Sequence, residues 1–328
     1  MNIARQWHTA TVLPMDKVLV SGGYNGFSYL ADVELYDSWL DEWTITGRMT
    51  SGRQGHTGSM LANGKVLVAG GYNGVSYLSS AELYDQSTGT WTRTNNMRSI
   101  RYGHTASVLR DGKVLLAGGH NGVSYLNSAE LYDPLTQTWT TVGSMTNARI
   151  EHTATSLRNG KVLVAGGNNG ASYLARAELY DPSTRLWTNV GNMTSARKGH
   201  TASLLKSGKV LVTGGSNVIL LFNSTELFDP STETWTRTGN MNTVRYGYTA
   251  TTLINGKVLV TGGYNGVLYF SSTELYDPLR EKWTIISNMT TRRYQHTASM
   301  LQRGEILVAG GFNSLPLVST EVYSNYCM

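Results

Sequence analysis

Histidine is the side chain that most readily binds metal ions or transfers protons near neutral pH, and histidines recur here at a fixed step of 48 residues. Sheets packed face to face lie about 10 Å apart, whereas the nitrogen ligands of one zinc ion lie about 2 Å from the metal. We therefore expect no metal site and no cofactor. Each histidine is expected to hydrogen-bond to the backbone of a neighbouring repeat, with one tyrosine as an aromatic substitute. The series is His8, His56, His104, His152, His200, Tyr248 and His296.

Glutamates with nearly the same period, 48 residues except for a last step of 47, resemble a ring of catalytic carboxylates, but arginines match them in number. A feature present in every repeat serves what every repeat needs, whereas an active site occupies one place. Because buried charges require partners, we expect hydrogen-bonded Arg–Glu pairs within or between repeats. The two series are Arg5, Arg53, Arg101, Arg149, Arg197, Arg245 and Arg293, and Glu34, Glu82, Glu130, Glu178, Glu226, Glu274 and Glu321.

The elements that position these residues are short strands. Each unit contains segments such as HTASVL and KVLLAGG around an x-G-K turn, followed by ELYD and a segment with tryptophan, which together predict four strands. No helical period is present, and a period of this length indicates a propeller. Glycine pairs mark seven units, at Gly22-Gly23, Gly70-Gly71, Gly118-Gly119, Gly166-Gly167, Gly214-Gly215, Gly262-Gly263 and Gly310-Gly311.

The glycine pair, the tyrosine of ELYD and the spaced tryptophan resemble kelch repeats, and the motifs R-x-x-H-T-A and A-E-L-Y-D-P-x-T-x-x-W are most similar to galactose oxidase-type units. The resemblance covers residues 1–328 and implies one all-β domain, a seven-bladed kelch propeller of four-stranded blades. It places strand A at the axis, strand C on ELYD and strand D, with tryptophan, at the rim. The seventh unit ends without strand D. Either this blade has three strands, or the missing strand precedes residue 1 in a longer protein, and we favour the second alternative.

Composition and charge limit which classes of function and which cellular compartments fit this chain. The net charge is +5, and it comes from variable positions, among them Arg110, Arg158, Lys206 and Arg303 in predicted A–B turns, so one face is expected to be mildly basic. No dense basic run supports nucleic-acid binding. No apolar run is long enough to span a membrane. The single cysteine, Cys327, favours a reducing compartment such as the cytoplasm, while secretion stays open if an upstream segment is missing.

The candidate ligand-binding face follows from the resemblance, because kelch propellers generally bind partners on the D–A and B–C loops. These loops vary from unit to unit where the rest of the unit does not. Aromatic faces beside amide groups suit sugars or extended peptides. The candidate residues are Trp7, Tyr24, Tyr72, Tyr102, His120, Glu151, Asn168, Lys198, Ser216, Tyr246, Tyr264, Tyr294, Gln295 and Phe312.

Three functions are compatible with this pattern. The first is a non-catalytic module that binds a protein, peptide or glycan. The second is a mutarotase-like enzyme that uses Glu151 as acid or base with His120 or Lys198 nearby. Oxidation of the galactose oxidase type is disfavoured, because it would need a tyrosine joined to a cysteine and the single cysteine, Cys327, lies next to the C-terminus. The third is self-assembly, through the open edge of the seventh blade or the apolar loop Val218, Ile219, Leu220, Leu221 and Phe222.

Overall fold

A computed structural model describes residues 1–324, so Cys327 lies outside the described part of the chain. The described residues form 27 strands in seven separate antiparallel sheets. Six sheets have four strands in the order A-B-C-D, and the last has three. This confirms the predicted all-β seven-bladed propeller with an incomplete seventh blade. None of the helical segments in residues 1–324 has the length and apolarity needed to cross a membrane.

The first four blades each contribute four strands. Blade 1 has β1 (Thr9–Leu13), β2 (Lys17–Ser21), β3 (Val33–Asp37) and β4 (Glu42–Thr46), with a 3₁₀ turn at Pro14–Asp16. Blade 2 has β5 (Thr57–Met60), β6 (Lys65–Ala69), β7 (Ala81–Asp85) and β8 (Thr90–Thr94). Blade 3 has β9 (Thr105–Val108), β10 (Val114–Ala117), β11 (Ala129–Asp133) and β12 (Thr138–Val142), and blade 4 has β13 (Thr153–Ser156), β14 (Val162–Ala165), β15 (Ala177–Asp181) and β16 (Leu186–Val190).

The remaining blades repeat this order. Blade 5 has β17 (Thr201–Leu204), β18 (Val210–Thr213), β19 (Thr225–Asp229) and β20 (Thr234–Thr238). Blade 6 has β21 (Thr249–Thr252), β22 (Val258–Thr261), β23 (Thr273–Asp277) and β24 (Lys282–Ile286). Blade 7 has β25 (Thr297–Met300), β26 (Ile306–Ala309) and β27 (Thr320–Tyr323).

The hydrophobic core lies between blades rather than within them. Leu67 and Leu83 of blade 2 pack with Tyr132 and Trp139 of blade 3 in one cluster, and the other blade interfaces repeat the arrangement. Strand B is buried on both faces, which explains its continuous apolar sequence. The repeated tyrosines and tryptophans are therefore fillers between blades, as predicted.

The ring is closed, because β25 of blade 7 contacts β1 of blade 1 in the same way as the first strands of all other neighbouring blades contact one another. The Nε2 atom of His8 in blade 1 lies 2.9 Å from Oγ1 of Thr297 in blade 7. The other repeated histidines make the same contact to the preceding blade, for example His104 to Thr57 at 3.0 Å. The neighbouring blade was predicted correctly. The imidazole contacts a threonine hydroxyl there, and a backbone carbonyl of the same blade, Ala309 for His8 and Ser21 for His56, also lies against the ring.

Each Arg–Glu pair joins three segments of one blade. Arg101 donates to the carbonyl of Gly118 at 2.8 Å and to Oε1 of Glu130 at 3.0 Å, and Glu130 accepts the N–H groups of Arg98 and Ser99. Both side chains are buried. The pair therefore fastens the D–A linker to strands B and C, and the predicted structural role of the two series is confirmed.

The seventh blade ends at β27, whose outer edge has no strand partner within residues 1–324. In five blades the tryptophan Nε1–H donates to a backbone carbonyl at the end of the preceding blade's strand D, as Trp91 does to Gly47 at 2.9 Å. Trp43 follows the three-stranded blade, and its buried Nε1 has no hydrogen-bond partner in the described part of the chain.

Candidate functional site

A short backbone ladder holds the loops of one face. In blade 2 the N–H of Gln54 donates to Tyr72 and the N–H of Tyr72 donates back to Gln54, at 3.0 and 2.9 Å, and Tyr72 is also bridged to Tyr77. The same two bridges occur in all seven blades, which joins every D–A linker to its B–C loop. The loops are thus fixed by main-chain hydrogen bonds before any ligand arrives.

The B–C loops are turns built on asparagine. The Oδ1 atom of Asn73 accepts the N–H groups of Val75 and Ser76 at 3.0 and 2.7 Å, and five other loops do the same. The residue at the tip of such a turn is apolar and exposed to solvent, as in blade 2, where Val75 is 88% exposed. The exposed apolar tips are Phe27, Val75, Val123, Val218, Ile219, Leu220, Val267, Leu268 and Leu315.

Inside these tips, aromatic rings form two arcs. In blades 1 to 3 successive ring centroids are 4.8 to 5.8 Å apart along Tyr24, Tyr29, Tyr72, Tyr77, His120 and Tyr125. In blades 6 and 7 the neighbouring ring centroids are 4.8 to 6.2 Å apart among Tyr246, Tyr264, Tyr269, Tyr294 and Phe312. The sequence analysis missed a tyrosine that lies five residues after the variable position in five of the B–C loops, although the repeated S-Y-L segment marks it in blades 1 to 4. These residues are Tyr29, Tyr77, Tyr125, Tyr173 and Tyr269.

A cavity of about 380 Å³ lies at the mouth of the central channel. Its wall includes six of the candidate residues, Trp7, Tyr102, Glu151, Tyr246, Tyr294 and Gln295. Four glycines, Gly55, Gly103, Gly199 and Gly247, also line it. The tertiary structure therefore brings residues of all seven blades to one small opening.

The glycines accommodate rings from the next blade. A Cβ atom on Gly199 would lie 2.2 Å from Cε2 of Tyr246, and one on Gly247 would lie 2.1 Å from Cε2 of Tyr294. Three blades carry a side chain at this position despite the same left-handed backbone, with φ of 52° at Trp7, 53° at Glu151 and 54° at Gln295. This conformation costs an L-residue roughly 1 kcal/mol or more, and such strain is concentrated at functional positions.

Glu151 connects three blades at the channel mouth. Its Oε1 accepts from Nζ of Lys198 in blade 5 at 3.1 Å, and its Oε2 accepts from the hydroxyl of Tyr246 in blade 6 at 3.0 Å. Burial, and next the negative charge of Glu151, raise the pKa of Tyr102 and of Tyr246 above the ordinary value of tyrosine. Both phenols therefore stay protonated at neutral pH, and that of Tyr246 donates to Glu151.

Replacement of Gly199 by alanine is expected to displace the Tyr246 ring and to lower the free energy of unfolding by about 2 kcal/mol or more, because backbone strain and a steric clash act together. Gly112→Ala is the matched control, since its φ is +81° but nothing lies within 4 Å of the added Cβ. Denaturant unfolding of both variants measures the difference. Equal losses in the two variants would contradict the packing of Tyr246 over Gly199.

The other candidate residues have separate surroundings. Tyr24, Tyr72, His120, Tyr264 and Phe312 belong to the arcs, and Lys198 contacts Glu151. Asn168 and Ser216 interrupt the aromatic series in blades 4 and 5, and Ser216 is buried.

The enzyme hypothesis requires His120 or Lys198 to lie close to Glu151 so that they can act together in acid–base catalysis. His120 packs between the rings of Tyr77 and Tyr125, and its Nδ1 accepts from the N–H of Gly122. Of the two groups considered beside Glu151 for a mutarotase-like reaction, Lys198 therefore contacts it, whereas His120 lies among the rings of the first arc.

The opposite face carries cations on the A–B turns. Arg158 donates to the carbonyl of Lys206 at 2.8 Å, and Arg110 donates in the same way to the carbonyl of Arg158. Three successive blades thus present a basic side chain at the same place. Acidic residues such as Asp111, Glu233 and Glu281 lie on turns of the same face, so the mildly basic face stays a prediction. Arg303 lies instead over the ring of Trp39, 3.7 Å from its centroid.

Comparisons with known proteins agree with this architecture. The profile described as the KLHDC2/KLHL20/DRC7 Kelch-repeats domain matches residues 2–147 and 141–311. A solved structure described as a novel fungal alcohol oxidase with catalytic diversity among the AA5 family, in complex with copper, has a TM-score of 0.78 and 19% identity, over 99% of this chain and 72% of that chain. At this identity the likeness shows the fold alone. Among curated proteins no relative matches.

Copper belongs to that oxidase, and the residues described here do not assemble a comparable site. Within residues 1–324 no group of three or more His, Cys, Asp or Glu side chains is close enough to hold a metal ion. The repeated histidines point to threonines of neighbouring blades, as His200 does to Thr153 at 2.9 Å.

Proposed function

Because the chain belongs to the kelch-repeat family, whose domains generally bind proteins, we propose that it is a non-catalytic binding module whose peptide or glycan ligand lies across the D–A and B–C loops. The two arcs of aromatic rings are the observation that carries this proposal. Rings such as Tyr72 and Tyr264 are half-buried, so each keeps part of its surface available to a ligand.

The physical properties of this surface suit recognition. The rings lose little conformational freedom on binding, because the backbone ladder and the neighbouring rings already hold them. Tyrosine combines an apolar face with a hydroxyl, which suits both peptides and sugars. The apolar tips around the arcs add contact area that favours a protein or peptide ligand, since exposed apolar groups of this density are typical of interaction sites.

Replacement of Tyr72 and Tyr264 by alanine together is expected to weaken ligand binding at least tenfold, because each removes a ring from a different arc. Glycan and peptide arrays probed with the native chain and the double variant provide the measurement. Leu135→Ala with Leu279→Ala is the control, since both leucines are exposed on C–D turns of the opposite face. Unchanged binding by the tyrosine double variant would show that the ligand binds elsewhere than on the two arcs.

Self-association is the second candidate, favoured by the free edge of β27 and by the blade 5 loop. Val218, Ile219 and Leu220 are exposed there, whereas Leu221 and Phe222 are half-buried and the Arg197 guanidinium lies over the Phe222 ring. Unpaired strand edges recruit further strands. A light-scattering series over concentration tests this, and a mass that stays monomeric at every concentration would eliminate it.

A further inference from the structure

Glu151 is the acidic group at the centre of the proposed binding face. Four blades have glycine at the equivalent position, yet here the backbone adopts the same left-handed conformation with a carboxylate attached. The architecture does not need this side chain, because the other blades form without it. The strain at Glu151 therefore points to a role in recognition.

Glu151 is the acidic residue among those that line this cavity, and it supplies the negative charge at the channel mouth. Burial lowers the pKa of His152 and His200 on the cavity wall, so both are neutral near pH 7. The buried arginines nearby are balanced by their own glutamates. Lys198 is the cation that contacts Glu151.

Lys198 is a replaceable partner. Its side chain is 23% exposed, and its Nζ already lies 5.8 Å from the centre of the Tyr173 ring, which offers an alternative cation–π contact. Tyr246 holds Oε2 of Glu151, whereas Lys198 holds Oε1. Departure of Lys198 would expose one carboxylate oxygen to a ligand while Tyr246 keeps the carboxylate in position.

The aromatic wall suits a cation at this place. Trp7, Tyr102, Tyr246 and Tyr294 line the same cavity as Glu151, and aromatic faces attract ammonium and guanidinium groups. The cavity of about 380 Å³ is at the small end of ligand sites, so it suits one side chain rather than a long segment.

We infer that the channel mouth receives a lysine or arginine side chain of a bound peptide, whose charge replaces Lys198 at Oε1 of Glu151 and lies against the rings of Tyr102 and Tyr294. This inference rests on the proposed binding function and specifies its ligand. The peptide on either side of the basic residue lies over the aromatic arcs and contacts the apolar tips.

A positional-scanning library of acetylated, amidated heptapeptides tests the inference, with the central residue fixed and the flanks randomised. Citrulline serves as the neutral counterpart of arginine. The library is titrated against the native chain, Glu151→Gln and Lys198→Met. Glu233→Gln is the matched control, because Glu233 is an exposed glutamate with φ of 56° on a C–D turn of the opposite face.

We expect the native chain to select central arginine or lysine over citrulline, Glu151→Gln to bind these peptides at least tenfold more weakly, and Glu233→Gln to bind as the native chain does. Lys198→Met should bind them severalfold more tightly, because the internal competitor is gone. Peptide or glycan binding without a basic preference, or unchanged in Glu151→Gln, would overturn the inference and leave the binding function standing. Binding of neither class would overturn both.

Discussion

A fall in pH from 7 to 5.5 is expected to lower the free energy of unfolding by several kcal/mol, because buried histidines resist protonation. Burial first, and then a nearby buried arginine, lower the pKa of His56, His104, His200 and His296 to about 3. Burial also holds the pKa of His8 and His152 well below the ordinary value. Each imidazole is thus neutral in the folded ring.

The sign follows from proton uptake. In the unfolded chain these histidines titrate near pH 6.5, so below that pH the unfolded state binds more protons than the folded state. Stability contributed by the neutral imidazoles is complete above pH 6.5 and is lost progressively as the pH falls towards 3. Over the step from pH 7 to 5.5 this amounts to slightly more than about 1 kcal/mol for each histidine, or on the order of 4 to 5 kcal/mol for the four with a pKa of about 3.

Urea unfolding at pH 7.0, 6.0 and 5.5 provides the measurement, in a range where most carboxylates do not titrate. His296→Tyr is the matched variant, because His296 contacts Thr249 and Thr261 just as Tyr248 contacts Thr201 and Thr213 one blade earlier. The variant should fold, and its free energy of unfolding should fall less between pH 7.0 and 5.5, by the contribution of one histidine. A flat stability profile for the native chain would contradict the burial of neutral imidazoles.

Arg101→Met is expected to lower the free energy of unfolding by about 3 to 5 kcal/mol, because it leaves a buried carboxylate without its cation. Glu130 would keep the N–H donors of Arg98 and Ser99, while the carbonyls of Gly118 and Ser128 would lose the Arg101 guanidinium. Methionine retains the apolar part of the side chain, so the loss reports mainly the charge and its hydrogen bonds. Chemical denaturation followed by tryptophan fluorescence measures the change.

Arg280→Met is the control for this prediction. Arg280 pairs with Asp277 at 3.2 Å but is 76% exposed, so its removal should change the free energy of unfolding by less than about 1 kcal/mol. A loss at Arg101 no larger than the loss at Arg280 would show that the repeated pair is not what fastens the D–A linker to the blade.

Sequence comparison among the units predicted the framework because identical residues face identical surroundings in every blade. The pairing of Arg101 with Glu130 follows from this logic, as do the asparagine turns and the packing of Trp139 between blades. The logic was weaker for contacts whose alternatives are chemically alike. It predicted the backbone of a neighbouring blade as the partner of the histidines and did not include the threonine hydroxyl, although Nε2 of His56 lies 3.1 Å from Oγ1 of Thr9.

What the sequence by itself determined is the period, the number of blades, the strand order and the face on which the units differ, because these depend on local patterns repeated seven times. Only the tertiary structure decided which variable residues meet. Glu151 and Tyr246 are 95 positions apart, and they touch because ring closure brings the D–A linkers of different blades to one channel mouth, while Gly199 leaves the space between them open. No local pattern encodes that contact, since it depends on the curvature of the closed ring and on the reach of individual side chains across it.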